Sequence, residues 1–352
     1  MPPEPIASPT PPAAALPRVR LLATGGTIAG AAASAADTGR YRAAALGVEA
    51  LLEAVPQLAD IARVDGRQIA AIDSKDADPG FWQALGRAVQ EALDDPDTDA
   101  VVVTHGTDTL EESAWYLQLV LHSPKPVVLT GAMRPATALS ADGPLNLLQA
   151  VRTAACPGAR GRGVLVVFNG RIHGADRLRK RHTSQVDAFA SGEGGALGEL
   201  QDAAVVWWGP PQARPASGFT AATPLAPVDI LLAYPGVPGA LLAGAMADAG
   251  ARGIVCAGNG HGSLPAPLVE ALAAVRRRGV AVARASRVAD GPVMPGTGCD
   301  DAAHGFVAAG TLDPHKARIA LMLLLGSGQA VDALPPRLDR AEAGAAAAHA
   351  AG

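Results

Sequence analysis

The 352-residue chain carries 29 basic and 33 acidic side chains for a formal net charge of -4, a near balance that gives no electrostatic reason to expect nucleic acid as a partner. Apolar residues make up 49% and charged residues 18%, which excludes disorder over most of the length, and Gly, Pro or charge breaks every apolar run before the roughly 18 to 20 residues that a membrane helix requires. Domains usually hold about 100 to 200 residues, so two are expected, and with aromatics at 3% their cores must be filled by Ala, Val and Leu.

Residues 1–17 are Pro-rich and lack both a basic leader and a Leu-rich segment, so they read as a flexible tail. The three cysteines, Cys156, Cys256 and Cys299, show no metal-ligand spacing and suit reduced thiols. A cytoplasmic protein is expected, with a leader trimmed before residue 1 as the alternative. Beyond the tail, short Val- and Leu-rich runs alternate with amphipathic segments, the pattern of parallel strands joined by crossover helices. Strands are expected at 19–23, 101–104, 127–130 and 163–168. A helix at 80–93 places Phe81, Leu85, Val89 and Leu93 on one face, and another opens near Pro144. Residues 18–208 therefore read as an N-terminal domain built on a doubly wound, mostly parallel sheet. A Pro- and Gly-rich linker is expected at 209–226. A smaller α/β domain follows at 227–340, with strands at 228–233, 253–257 and 280–285 and helices at 238–249, 265–278 and 314–325, before a low-complexity tail at 341–352.

In open α/β sheets, ligands collect beyond the C-terminal ends of the strands, and both candidate places are rich in threonine. The first loop reads LLATGGTIAG, where Gly25 and Gly26 allow a tight turn and present the Thr27 hydroxyl together with backbone N–H groups. The same loop is compatible with threonines that only satisfy local backbone groups. The second reads VVVTHGTDTLEES, placing Thr107 and Asp108 at a strand-to-helix corner, with Glu111 and Glu112 in the first turn of the helix. Asp108 is either a helix cap or a carboxylate for an amino-acid ammonium group.

A threonine hydroxyl needs a base to take its proton. Lys180, flanked by Arg177, Arg179 and Arg181, is the candidate, because burial among positive neighbours favours the neutral amine; the alternative is a solvated basic run. His105 and His182 are weaker base candidates and are read as structural, since neither is spaced with a hydroxyl and a carboxylate into a recognisable triad.

Taken together, TGGTIAG, VTHGTDTLEE, TGAMRP with SADGP, and GTLDPHKAR resemble the bacterial L-asparaginase/glutaminase family, over about Arg18 to about Gln329. The resemblance implies an amidohydrolase in which Thr27 attacks the side-chain amide of L-asparagine, forms an acyl-enzyme and releases ammonia, with some glutaminase activity. It implies that Tyr41 assists Thr27, and that Thr107, Asp108 and Lys180 activate the attacking water or the nucleophile itself. It further implies substrate contacts from Gly26, Ser74 and Asp108, the last two holding the α-carboxylate and the α-amino group, and from the backbone of Ala132. The family works as a homotetramer of intimate dimers in which the neighbour's C-terminal domain completes each site, without metal or organic cofactor.

Three positions depart from the family pattern. Lys75 stands where many members have Gln or Glu, putting a positive charge beside the substrate ammonium. Gly298 falls near a glutamate that members supply from the neighbouring subunit, for which Asp300 or Asp301 are the nearby substitutes. Ser263 replaces an asparagine of some members. The cysteine pair of some secreted members has no counterpart. Two rival readings are an amidotransferase-type ammonia donor and a non-catalytic amino-acid sensor using the same pocket.

Overall fold

The computed structural model describes residues 15–211, 217–331 and 334. The tail expected at 341–352, most of that at 1–17 and the middle of the 209–226 linker lie outside the described residues. In chain order the first part carries β1 (Arg18–Gly25), the short β2 (Ala31–Ala32) and β3 (Tyr41–Arg42), α1 (Val48–Glu53), β4 (Arg63–Ile72), α2 (Pro79–Asp94), β5 (Ala100–Thr104), α3 (Leu110–Val120) and β6 (Val127–Thr130). It continues through α4 (Gly143–Ala155), β7 (Val164–Phe168), β8 (Arg171–Gly174), β9 (Arg179–Lys180), β10 (Phe189–Ala190), β11 (Gly198–Gln201) and β12 (Ala204–Trp207).

Eight of these strands form one sheet in the order β12-β11-β8-β7-β6-β5-β1-β4. The pairings from β4 to β7 are parallel and those from β7 to β12 antiparallel. Both faces of the parallel part are covered, which is why β5 reads AVVVT without alternation. Its Val101 and Val103 join the layer of α2 and α3, while Ala100 and Val102 join that of α1 and α4. Helix α2 starts where Asp78 accepts a hydrogen bond from the Phe81 N–H at 2.7 Å and Pro79 presets the first turn.

The second part contains β13 (Val228–Leu232), α5 (Gly239–Asp248), β14 (Gly253–Gly258), α6 (Ala266–Arg277), β15 (Ala281–Ser286), α7 (Asp301–His304), β16 (Val307–Ala308) and α8 (Pro314–Gly326). Its four strands are parallel in sequence order. The fold is thus a larger, mostly parallel sheet domain followed by a smaller α/β domain, as expected. Helix α8 packs on α3, and Ala317, Ile319 and Leu323 share one hydrophobic cluster with Trp82, Leu85 and Leu117.

The sequence reading missed β4 and the antiparallel strands. β4 lies at the sheet edge, so its apolar side chains are only half-buried among exposed polar ones. β8, β11 and β12 are four residues each.

Candidate active site

The chain leaves β1 for the outer strand β4 and then returns across β1 to β5, so the connections beyond the ends of β1 and β5 diverge and leave a crevice. Thr27, Tyr41, Thr107, Asp108 and Lys180 line this cleft of about 740 Å³, with Met133, Arg134 and Gln185 among its other walls. Glycine brings the loops that close. Gly26 has φ 77°, and a Cβ there would lie 2.4 Å from both Cα and N of Gly106. A Cβ on Gly106 would lie 2.5 Å from Ser74 Oγ, so the loops after β1, β4 and β5 meet where no side chain fits.

Thr27 opens a short 3-10 turn and is buried, with Oγ1 2.7 Å from Tyr41 Oη. Tyr41 reaches it from β3, whose pairing with β2 folds the intervening segment back over the cleft. That flap is tied down where Ala32 N–H donates to Thr137 Oγ1 at 2.9 Å and Leu139 N–H donates to the Ala35 carbonyl at 3.0 Å.

On the other side, Lys180 Nζ donates to Thr107 Oγ1 at 2.9 Å and to Asp108 Oδ1 at 2.7 Å. Asp108 does not cap α3: the N-cap position is Thr109, whose hydroxyl donates instead to the Ser74 carbonyl at 2.8 Å. Ser74 is buried, and its Oγ accepts from the Asp108 N–H at 3.2 Å. The expected crowd of positive charge around Lys180 is replaced by separate pairs. Arg179 sits 3.3 Å from Asp313, Arg177 lies 3.6 Å from Asp176, and the charge beside Lys180 is the Asp108 carboxylate.

Both histidines have structural partners. His105 is buried between the Gly106 carbonyl at 2.7 Å and Ser113 Oγ at 3.0 Å, and burial lowers its pKa to about 4, leaving it neutral. His182 Nδ1 accepts from the N–H groups of Ser184 and Gln185.

Other singled-out positions fall around or away from the cleft. Lys75 Nζ lies 2.9 Å from both Asp73 and Asp76, and these hydrogen bonds, that to Asp73 first, raise its pKa; its charge is therefore compensated on the spot. Ala132 is buried just before Met133. Ser263 belongs to the smaller domain, where it exchanges backbone hydrogen bonds with Asn259 at 2.7 and 2.9 Å. A Cβ on Gly298 would lie 2.5 Å from Ser263 Oγ, and neither residue lines the cleft of its own chain. The two aspartates expected as substitutes are otherwise engaged: Asp300 caps α7, and Asp301 holds the buried Arg284 at 2.6 and 2.8 Å.

From the sequence, Glu111 is only a favourable charge in the first turn of α3. Its carboxylate accepts a hydrogen bond from the Lys180 backbone N–H, and burial raises its pKa against the opposing effect of Lys316. No local pattern links positions so far apart in sequence.

The cleft thus faces a hydroxyl–phenol pair with a hydroxyl–ammonium–carboxylate chain, groups able to pass protons to and from an amide held between them. The chain is similar to known proteins over most of its length. The family described as "Asparaginase, N-terminal" matches residues 18–212, and "Glutaminase/Asparaginase C-terminal domain" matches 227–335. The L-asparaginase 2 of Bacillus subtilis is 43% identical over 315 residues, covering 88% of this chain and 83% of that protein. The glutaminase-asparaginase of Pseudomonas fluorescens biotype A is 42% identical over 319 residues, 89% of this chain and 88% of its own. Among solved structures, the probable cytoplasmic L-asparaginase from Campylobacter jejuni superposes with a TM-score of 0.84 at 40% identity, covering 88% of this chain and 95% of that one. With both halves matched and this identity spread over most of its length, the chain belongs to the L-asparaginase/glutaminase family.

Proposed function

We propose that this protein hydrolyses the side-chain amide of L-asparagine to L-aspartate and ammonia, with some activity on L-glutamine and with Thr27 as the nucleophile. The observation that carries the reading is the 2.7 Å contact of the buried Thr27 hydroxyl with Tyr41 Oη, across one cleft from the Thr107–Lys180–Asp108 chain. Thr27 Oγ1 bonds to the amide carbon as its proton moves to Tyr41 Oη, which hands its own proton on to the departing nitrogen. Ammonia leaves and an ester on Thr27 remains. Water then attacks that ester, losing a proton into the Thr107–Lys180–Asp108 chain, and Thr27 regains a proton as aspartate departs.

Binding in this reading falls to Ser74 and Asp108 at the two ends of the amino-acid head, with backbone from Gly26 and Ala132 around the amide and Lys75 at the rim. Ser263 faces the cleft of a neighbouring subunit in a homotetramer of intimate dimers, and Gly298 beside it leaves the family's glutamate contact there unfilled. Their place in the smaller domain, outside the lining of their own chain's cleft, supports that role. A cytoplasmic location is supported by the name of the Campylobacter jejuni neighbour, whereas a Haemophilus influenzae relative is named periplasmic, so cell fractionation decides.

The hydroxyl in contact with the lysine side chain is Thr107, not Thr27, which favours a second order of events with Thr107 attacking first. Mass spectrometry of stalled variants separates the two. Thr27→Ala is expected to abolish ammonia release from L-asparagine, and Thr107→Ala to accumulate an acyl group on the Thr27 peptide. An acyl group on Thr107 in the Thr27→Ala protein would reverse the order, and a wild type that releases no ammonia would remove the hydrolase reading altogether.

A further inference from the structure

Lys180 must hold its ammonium within hydrogen-bond reach of Thr107 and Asp108, yet the element that carries it is weak. β9 is two residues long and pairs only with the two residues of β10, too little to fix a side chain by itself. The structure instead gives each of three successive residues a charged partner from another element. The Leu178 carbonyl accepts from Lys316 Nζ at 2.6 Å, the Arg179 guanidinium meets Asp313 Oδ2 at 3.3 Å, and the Lys180 N–H donates to the Glu111 carboxylate.

The partners are braced in turn. Lys316 and Asp313 are 1% and 5% exposed and contact each other at 2.8 Å. Asp313 caps α8 by accepting from the Lys316 N–H at 2.9 Å, and the Lys316 carbonyl accepts from Trp115 Nε1 of α3 at 3.0 Å. Glu111, Asp313, Lys316 and Arg179 together balance two negative against two positive charges. Burial pushes Asp313 upward, but Lys316 and Arg179 more than offset it and hold it at about 2, so the carboxylate stays charged at neutral pH. A buried ion cluster adds little stability over an apolar replacement, and in some proteins what it supplies is a single defined geometry.

The geometry points to Glu111, Asp313 and Lys316 as positioning residues for Lys180, through which the smaller domain sets the proton-handling site of its own chain. The inference rests on the proposed role of Lys180 in amide hydrolysis. It gives the start of α8 a task separate from any contact with a neighbouring subunit.

The test uses the full-length protein with Glu111→Leu, which removes the acceptor at similar size, Glu111→Gln, which retains one, and Arg179→Met, at a half-exposed position, in case the first does not fold. In Glu111→Leu, kcat for asparagine is expected to fall by about 10- to 100-fold with KM within about threefold, as for a group misplaced by about 1 Å, and Glu111→Gln to recover most of the loss. Added to Lys180→Met, the same change is expected to cost less than about twofold, because it acts through the lysine already removed. Amide hydrogen exchange over 178–182 is expected to rise in Glu111→Leu and Arg179→Met. Unchanged exchange, or the full loss persisting on the Lys180→Met background, would overturn the inference. If the wild type released no ammonia, the hydrolase reading would fall while the exchange measurement still decided whether this cluster holds Lys180.

Discussion

Gly26 and Tyr41 carry two different kinds of information at the residue scale. The glycine is legible: TGGT predicts a turn with close backbone approach, and the structure supplies the reason in the Gly106 backbone against which a Cβ would fall. Gly26→Ala combines a strained φ with overpacking, so it is expected to lower stability by about 2–4 kcal/mol and to abolish activity by parting the two threonine loops. A denaturant midpoint equal to the wild type's would show that the loops tolerate the methyl. Tyr41 is not legible from spacing, because the segment between it and Thr27 carries no periodic signal, and only the resemblance singled it out. Its phenol makes one contact with Thr27, so Tyr41→Phe keeps the ring and removes the proton relay. A fall in kcat of about 100-fold or more, with KM little changed, is expected; equal kcat values would assign the ring a purely covering role.

At the scale of elements, the sheet is readable where parallel strands form apolar runs, as in β1, β5, β6 and β7, and unreadable at the half-buried β4 and in the four-residue antiparallel strands. The β7–β8 hairpin is the instructive miss. Phe168 pairs with Arg171 across Asn169 and Gly170, whose φ values of 46° and 75° are those of a type I′ turn, and Asn-Gly between apolar runs signals such a turn. The strand after it, RIHG, is four residues long and ends in glycine, too short to show a period of two. What this edge buries also sets a pH limit. His173 on β8 lies against Ser191 Oγ at 2.7 Å, and burial first, then Arg171, lowers its pKa to about 4; His105 at the β5–α3 corner is lowered to about 4 by burial. A histidine depressed in the folded state takes up its proton first in the unfolded chain. Stability from both is therefore complete above about pH 6.5 and is lost as pH falls towards 4, at about 3 kcal/mol each. The raised pKa of Glu111 works the other way and offsets part of this loss. Urea midpoints at pH 7 and pH 4.5 are expected to differ clearly, and His173→Gln to narrow the gap by roughly half. Superimposable curves at the two pH values would refute the assignment.

For the whole molecule, length and periodicity are enough to expect two α/β units, but not how they are joined. Helix α8 shares a core with α2 and α3, so the smaller domain is built into the larger one. Nor did the sequence show that Ser263 and Gly298 touch each other and stand off the cleft of their own chain. If the proposed assembly is right, each cleft takes Thr27 from one subunit and Ser263 from another, and two differently damaged chains should repair one another. In a two-fold dimer of Thr27→Ala with Ser263→Trp, one site pairs an intact Thr27 with an intact Ser263 while the other has neither. Random pairing of equal amounts makes half of the dimers hybrid, so co-refolding two inactive parents is expected to restore about a quarter of wild-type ammonia release. Activity no higher than the mean of the parents, from hybrids verified by two affinity tags, would place Ser263 outside the reaction and leave each cleft complete within its own chain.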